Sequence, residues 1–546
     1  MNARARLVAW QLAIVLIACA FLFFFGLGAF GLVGADEPRY AQIAREMAVR
    51  HDWVVPTLNG APWLEKPALL YWKIINSYAI FGFHDWAARI PAASHALVLV
   101  VAAFFFMRRF RPGTEMNAAL ITASCAAIIG FGRGASTDML LSAPFCIALL
   151  AWWTWHETEK KVWLAVFYGL LAIGALAKGP VAPALAVLIV GAYAAVRRDA
   201  KIFLRTLWWP GFVLFFAMVL PWFIAIQLRV PNFFRSFFIE HNLQRFGTNR
   251  YQHSQPVWYY LIVFVLSTLP WTIFVLSALV STARDAIRKI KNREETTPSE
   301  EAGGNSLPFF FLLWTLIPVL FFSVSRSKLP GYILPAIPAA ALLTADWLHR
   351  AENALSRVRL VLHAVIGGAL VAGALLAPWF LLKVRPPSGV LIEIIIAAIV
   401  IGLMVLLMVL RGGPRVLHFA TLLPVVLAMG YLLRVPARAI DQAISARAVD
   451  ARMAELNVPN DVPIAVFNVR RDIAYGLNFY RNQPIHYYEQ GSAYDLPSGI
   501  PAERHVVVAR EGSLDAVQAA VGDREVTLVG RMALQHLEFF LVSNTR

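Results

Sequence analysis

The sequence predicts a polytopic α-helical membrane protein carrying a small soluble α/β domain at its C-terminus. Three observations carry this. The 546-residue chain is 59% hydrophobic and only 15% charged, with a mean hydropathy of +0.61, which is too little polar surface for a soluble globule of this size. Apolar runs of about 18 residues or more recur between residues 7 and 434, each long enough to cross a hydrocarbon core of about 30 Å. From about residue 435 the pattern changes to short alternating strands and capped helices.

The first run, 7–34, starts after Arg4 and Arg6 and ends on small residues, as a signal peptide does. Its apolar part exceeds the 7–15 residues of a signal core, so it reads as an uncleaved first helix. About thirteen spans follow from the hydropathy: 7–34, 90–107, 116–132, 138–155, 162–177, 180–196, 208–228, 257–280, 307–324, 332–348, 359–382, 390–410 and 416–434. The links 132–138 and 177–180 are short enough for one or two of these to be re-entrant.

Orientation follows from Lys and Arg in the short loops. With the N-terminus in the cytoplasm, "RRFR" (108–111), "RRDAK" (197–201), "RDAIRKIKNR" (284–293) and "RGGPR" (411–415) all fall inside. The net charge of +16 is therefore a topology signal and a match for anionic lipids, not a nucleic-acid surface. Cys19, Cys125 and Cys146 lie in apolar runs and form no disulfide or zinc spacing. There is no nucleotide fingerprint and no internal repeat.

Two outside loops are long. Loop 35–89 holds Trp53, Trp63, Trp72 and Trp86, aromatics suited to the headgroup level, and two stretches of helical spacing that suggest helices lying in the interface. Loop 229–256 mixes Phe with charge in the same way, and 292–306 has a linker-like composition. Arg45, Arg50 and Lys73 read as snorkelling anchors. Residues 1–434 form the membrane domain and 435–546 the soluble domain, in which Tyr475, Tyr480, Tyr487 and Tyr488 read as core.

Chemistry gathers on the outer face. Asp36, Arg39 and Tyr40 follow the first span; Glu65 and Lys66 lie in "WLEKPALL"; Asp138 opens the fourth span; Lys178 closes the fifth. "EHNLQR" supplies His241 and Arg245, and "SRSKLPGY" supplies Lys328 and Tyr332. Acids this close to hydrocarbon are costly and face a cavity or a partner, which singles out Asp36 and Asp138. Cations at a water–lipid boundary hold lipid phosphates and stabilise a phosphate leaving group. Glu65 with His241 offers a pair that could hold a divalent metal. A transporter would carry its polar groups at the midplane and often a repeat, and neither is seen.

The stretch "ADEPRYAQIAREM…DWVVPTLNGAPWLEKPALLYW" closely resembles the lipid A aminoarabinose transferases, the ArnT-like enzymes of the protein mannosyltransferase-like, GT-C glycosyltransferase superfamily. The likeness continues through "GASTDMLL", "ALAKGP", "EHNLQRF" and "SKLPGYILP", in the same order, over most of residues 1–345. It implies a GT-C fold in a bacterial inner membrane. It implies transfer of a sugar from undecaprenyl phosphate to an acceptor on the periplasmic face, in the archetype aminoarabinose to a lipid A phosphate. The alternative is another sugar moved to a protein or glycan hydroxyl. The implied partners are the lipid-linked donor, the acceptor and membrane lipids, with no nucleic acid. No cofactor is required, and the metal at Glu65 and His241 stays open.

By this resemblance Asp36 and Asp138 fall on the family's acidic pair. Arg39, Lys66 and Arg245 fall on its phosphate-binding cations, with Lys66 counted among the catalytic groups. Tyr40 and Tyr332 become hydrogen-bonding neighbours, and Glu65, Lys178, His241 and Lys328 substrate-binding groups. Two details depart from the pattern: "LEKPAL" lacks a second proline, and Gly331 stands where Thr or Ser is common.

Overall fold

The computed structural model describes residues 3–237, 255–291, 306–350, 356–488 and 499–543. Among these, ten helices are long and apolar enough to cross a membrane, or up to twelve spans if each of two bent pairs counts as one. The thirteen expected spans are thus corrected in three places. Runs 116–132 and 257–280 are broken: Glu115–Ser124 meets Ala126–Gly132 at 64°, and Tyr259–Ser267 meets Thr272–Arg288 at 117°. Run 180–196 is a 17-residue helix, Val181–Arg197, at the short limit for a span.

The two breaks hold each other. Pro270 supplies no N–H to continue a helix; the Thr272 hydroxyl donates to the Val265 carbonyl, and the Thr268 hydroxyl adds to the backbone bond already on the Phe264 carbonyl. Ala126 N–H then donates to Leu269 O at 2.9 Å, and Trp271 Nε1 donates to Ser124 Oγ at 2.8 Å.

The first span is also shorter than 7–34. Helix α1 (Ala3–Cys19) widens into one π-turn to Phe24, and "FGLGAFGLVGA" then runs as turns, with Gly26 and Gly34 both at φ 65°. The long first loop forms two helices as expected, α2 (Asp36–Val49) and α3 (Leu69–Phe81). Asp36 and Glu37 in the first turn of α2 complement the helix dipole, and Pro38 needs no N–H partner there. Between them lies a hairpin, Thr57–Leu58 with Ala61–Pro62. Its turn is Asn59-Gly60, both at positive φ (53° and 78°), the pairing a two-residue hairpin turn favours.

Helix α4 (Asp85–Phe110) follows, and further on α5 (Thr137–Thr158) and α6 (Lys161–Lys178) run antiparallel, joined by Glu159-Lys160. Near the centre of the bundle, α5 and the segment Pro330–Arg350 are buried along almost their whole length, while Ser388–Gly412 lies at the periphery.

The soluble part contains β1 (Ile464–Phe467), β2 (Ile485–Tyr487), β3 (His505–Arg510), β4 (Glu525–Met532) and β5 (Leu537–Ser543) in the order β2-β1-β3-β5-β4. The first three are parallel, joined on one side by α7 (Arg471–Arg481); β3–β5 and β5–β4 are antiparallel. Their buried Val, Ile, Phe and Ala side chains make the domain core.

This domain docks on the segment after α1 and on α2. Gly31 N–H donates to Asp441 Oδ1 (2.7 Å) and Leu32 N–H to Tyr480 Oη (2.8 Å). Arg447 reaches Asp85 at 3.0 Å, and Asn478 reaches Asn59 at 2.8 Å. Arg45 donates to Phe479 O at 2.7 Å and lies 4.3 Å over the Phe479 ring, so it is a docking residue and not a snorkelling anchor. Arg50 likewise turns back to Glu46 O and Val55 O.

Candidate active site

One end of the bundle carries the expected site residues, and it is assembled from helix ends. Because α5 and α6 are antiparallel neighbours, the N-terminus of one and the C-terminus of the other share this end. Ser136 caps α5 by accepting from Asp138 N–H at 3.4 Å, which fixes Asp138 in the first turn, where an acid suits the dipole. Lys178 occupies the last turn of α6, where a cation suits it, and Gly179 at φ 80° ends the helix. Lys178 Nζ meets Asp138 Oδ1 at 2.5 Å and lies 4.8 Å over the ring of Tyr332.

Gly331 belongs to this cluster. A Cβ there would lie 2.6 Å from Asp138 Oδ1 and 2.9 Å from Phe131, so the bare backbone is what lets Asp138 approach. Lys328 is not drawn in: its buried ammonium donates to Ser325 O in its own loop.

The second cluster spans α2 and the hairpin. Arg39 Nη2 meets Asp36 Oδ1 at 2.5 Å and Glu65 Oε2 at 3.6 Å, and Lys66 Nζ meets Glu65 Oε1 at 2.9 Å. Asp36 is 57% exposed while Arg39 is buried, so the carboxylate is reachable and its cation is fixed. Three rings surround the Arg39 guanidinium: Trp63 at 4.8 Å, Tyr40 at 5.2 Å and Tyr475 at 5.5 Å. Burial works against the Arg39 charge, but the carboxylates of Glu65 and Asp36 outweigh it and hold the guanidinium firmly protonated. Burial, reinforced by Asp36, pushes the Tyr40 phenol well above its ordinary range, so Tyr40 stays a neutral hydroxyl.

Two carboxylates outside the expected set position these groups. Glu46 accepts from Thr57 Oγ1 (2.7 Å), Asn59 N–H (2.8 Å) and Gly60 N–H (3.2 Å), which ties the hairpin, and hence Glu65-Lys66, to α2. Glu37 links the two clusters. Its oxygens accept from Ala135 N–H (2.7 Å), three residues before Asp138, from Val33 N–H (2.8 Å), and from Arg89 Nε (3.0 Å) and Nη2 (2.7 Å). Arg89 also donates to Leu27 O, Phe30 O and Gly31 O, stapling the turns after α1.

The sequence contained a direct signal for the hairpin in Asn-Gly between two short apolar pairs. Glu37 and Arg89 carried no distinguishing signal. Trp63 is buried against Arg39, and Tyr475 differs from its expected place: Tyr475 and Tyr480 face the membrane domain while Tyr487 and Tyr488 stay with the sheet.

Among the described residues, three buried donors here, Arg39 Nε, Trp63 Nε1 and Tyr71 Oη, have no hydrogen-bond partner. Buried donors are rarely left so, and an acceptor-bearing ligand or ordered water would satisfy all three. His241 and Arg245 lie outside the described residues. Among the described residues no three His, Cys, Asp or Glu side chains converge as metal ligands, and Glu65 faces Lys66 and Arg39. The arrangement can hold an anion against two cations beside an accessible carboxylate.

Residues 65–224 match the dolichyl-phosphate-mannose-protein mannosyltransferase family model. An undecaprenyl phosphate-α-4-amino-4-deoxy-L-arabinose arabinosyl transferase of Pseudomonas fluorescens is 30% identical over 70% of this chain, which spans 63% of that protein. The transferase of the same description from Yersinia enterocolitica is 28% identical over 91% of this chain and 93% of its own length. The crystal structure of ArnT from Cupriavidus metallidurans bound to undecaprenyl phosphate shares the fold, with a TM-score of 0.76 over 99% of this chain and 98% of that one at 23% identity. The chain belongs to the ArnT-like glycosyltransferases of the protein mannosyltransferase-like, GT-C superfamily.

Proposed function

We propose that this chain transfers 4-amino-4-deoxy-L-arabinose from undecaprenyl phosphate to a phosphate of lipid A at the periplasmic face of a bacterial inner membrane. The observation that carries the reading is the cluster of Asp36, Arg39, Glu65 and Lys66, an open carboxylate beside two cations, with unpartnered buried donors around it. It is supported by the matching description of the relatives. The sidedness rests on the Lys and Arg distribution in the loops, with the N-terminus in the cytoplasm and the soluble domain and site outside.

An oxygen of the lipid A phosphate attacks the anomeric carbon, and the bond from that carbon to the donor phosphate oxygen breaks. The electron pair leaves with undecaprenyl phosphate, and the carbon inverts. Charge develops on the departing phosphate, where Lys66 and Arg39 oppose it. Lys66 gives up Glu65 as the phosphate arrives. The acceptor is already ionised and yields no proton, so Asp36 orients a substrate, for which the cationic sugar amine is the natural partner. Asp138 and Lys178 form a second polar wall, and His241 and Arg245 add to the phosphate clamp from the second loop. The displacement balances without a cofactor, and a divalent ion on Glu65 would have to compete with Lys66.

The exposure of Asp36 also favours a second reading, in which a hydroxyl acceptor needs it as general base. Mass spectrometry of lipid A separates the two. A Gram-negative host that makes the lipid-linked aminoarabinose but lacks its own transferase should gain one aminoarabinose per modified lipid A with this chain and none with Asp36→Ala. No gain from a well-expressed chain would refute the lipid A reading, and sugar on periplasmic proteins or glycans would establish the second. Lys66→Ala and Arg245→Ala should lose turnover while staying folded; full activity in both removes the clamp.

A further inference from the structure

We propose that Tyr475, on the soluble domain, is a positioning residue for the transfer reaction: with Tyr40 and Trp63 it boxes the Arg39 guanidinium, so the C-terminal domain completes the active site. This rests on the function proposed above and assigns that domain a part in it.

The box is built from three separate segments. Tyr40 comes from α2, Trp63 from the hairpin and Tyr475 from α7, at 5.2, 4.8 and 5.5 Å from the guanidinium carbon. All three rings are buried, Tyr475 to 1% exposure, so the cation meets their faces with little water between, where cation–π attraction is strongest. A guanidinium on this site needs such a frame. Its Nη2 hydrogen-bonds Asp36 with Glu65 further off at 3.6 Å, and its Nε has no partner among the described residues. The Asp36 bond alone therefore does not fix its plane. Rings on several sides fix the plane, and with it the direction in which the free Nε–H points.

Tyr475 is itself held for this purpose. Phe479, one turn further along α7, receives Arg45 on its ring and on its carbonyl. Asn478 and Tyr480 bind Asn59 and Leu32 of the membrane domain. The same helix face thus docks the domain and presents Tyr475 to Arg39. Asn59 sits at the turn of the hairpin that carries Trp63, so two walls of the box are joined directly.

The test uses the full-length protein in detergent with two readouts, aminoarabinose transfer and binding of undecaprenyl phosphate alone. Tyr475→Leu should weaken both by about ten-fold, Tyr475→Phe should restore them to within about two-fold, and trifluorophenylalanine at 475 should lose them again although its shape is that of Phe, because fluorine cancels the negative ring face. A structural role in the domain core would not distinguish Phe from its fluorinated form. Tyr475→Leu combined with Arg39→Lys should cost no more than Arg39→Lys alone. The proposal is overturned if fluorination changes neither readout, or if the two substitutions add. If the parent transfers no aminoarabinose, the function proposed above fails, and undecaprenyl phosphate binding still decides the role of Tyr475 by the same comparison. Fluorination also decides if Tyr475→Leu does not fold.

Discussion

Glu37→Gln is the sharpest test of how the site is held. The substitution keeps the side chain's shape and removes its charge. Glu37 and Arg89 are 9% and 3% exposed, and their contact is doubled, at 2.7 and 3.0 Å. Removing one partner of a buried ion pair costs about 3–5 kcal/mol, because the other charge stays buried. Arg89 retains three carbonyl acceptors, Leu27 O, Phe30 O and Gly31 O, which argues for the lower end, about 3 kcal/mol. The glutamine amide also presents N–H to a site that offers only donors, so either Ala135 N–H or Val33 N–H loses its acceptor. The assay is equilibrium unfolding of the full chain in mixed micelles, with turnover measured where the variant is still folded. Glu159→Gln is the control: that ion pair with Arg205 is as short, 2.6 Å, but 65% and 57% exposed. It should move stability by no more than about 0.5 kcal/mol. A Glu37→Gln effect equally small would refute the reasoning, since the pair would then be solvated and the link between the two acidic loops dispensable.

Other outcomes follow from the same geometry. Gly331→Ala puts a methyl 2.6 Å from Asp138 Oδ1 and should lower turnover about ten-fold or more with the fold intact; normal kinetics would free Asp138 from any strict position. His505 is buried with its ring between Glu503 O and Tyr488 Oη, and burial, with Arg524 and His486 nearby, holds its pKa below the ordinary imidazole value. The unfolded state then binds the proton more readily, so stability is complete above about pH 6.5 and falls as the pH drops below it. Hydrogen exchange of residues 505–510, corrected for intrinsic rate, should accelerate on acidification, and His505→Gln should flatten the dependence. Thorough chelation should leave turnover within about two-fold, and a loss restored by one divalent cation would instead assign Glu65 to a metal.

The membrane spans could be read from the chain because a run of about twenty apolar residues has few other uses. Their breaks could not. The bend at 268–271 depends on Trp271 finding Ser124 across the bundle, and hydropathy is blind to such a pairing. The site divides in the same way. Asp36 and Asp138 stood out because an acid beside hydrocarbon is expensive, and Lys66 and Lys178 through the likeness of their motifs to the family. Glu37 and Arg89 carry equal charge in equal surroundings, and only the fold distinguishes an acid that faces the opening from its neighbour that braces the scaffold. Tyr475 was hidden for a related reason. A buried tyrosine looks the same in a sequence whether its ring packs on its own domain or on an arginine more than four hundred residues away.

The docking of the soluble domain on Gly31 and Leu32 also sets an order of events in biosynthesis. The partners Asp441 and Tyr480 are 410 and 448 residues downstream. The segment after the first helix is made long before its partners, and its amides and the Arg39 box are complete only once the chain has reached Tyr480. At about 5–20 residues per second, the 448 residues from Leu32 to Tyr480 take about 22–90 s. A nascent or truncated chain can insert all its spans and still lack a finished reaction centre. A chain cut before Tyr475 keeps its spans and loses one wall of the box around Arg39.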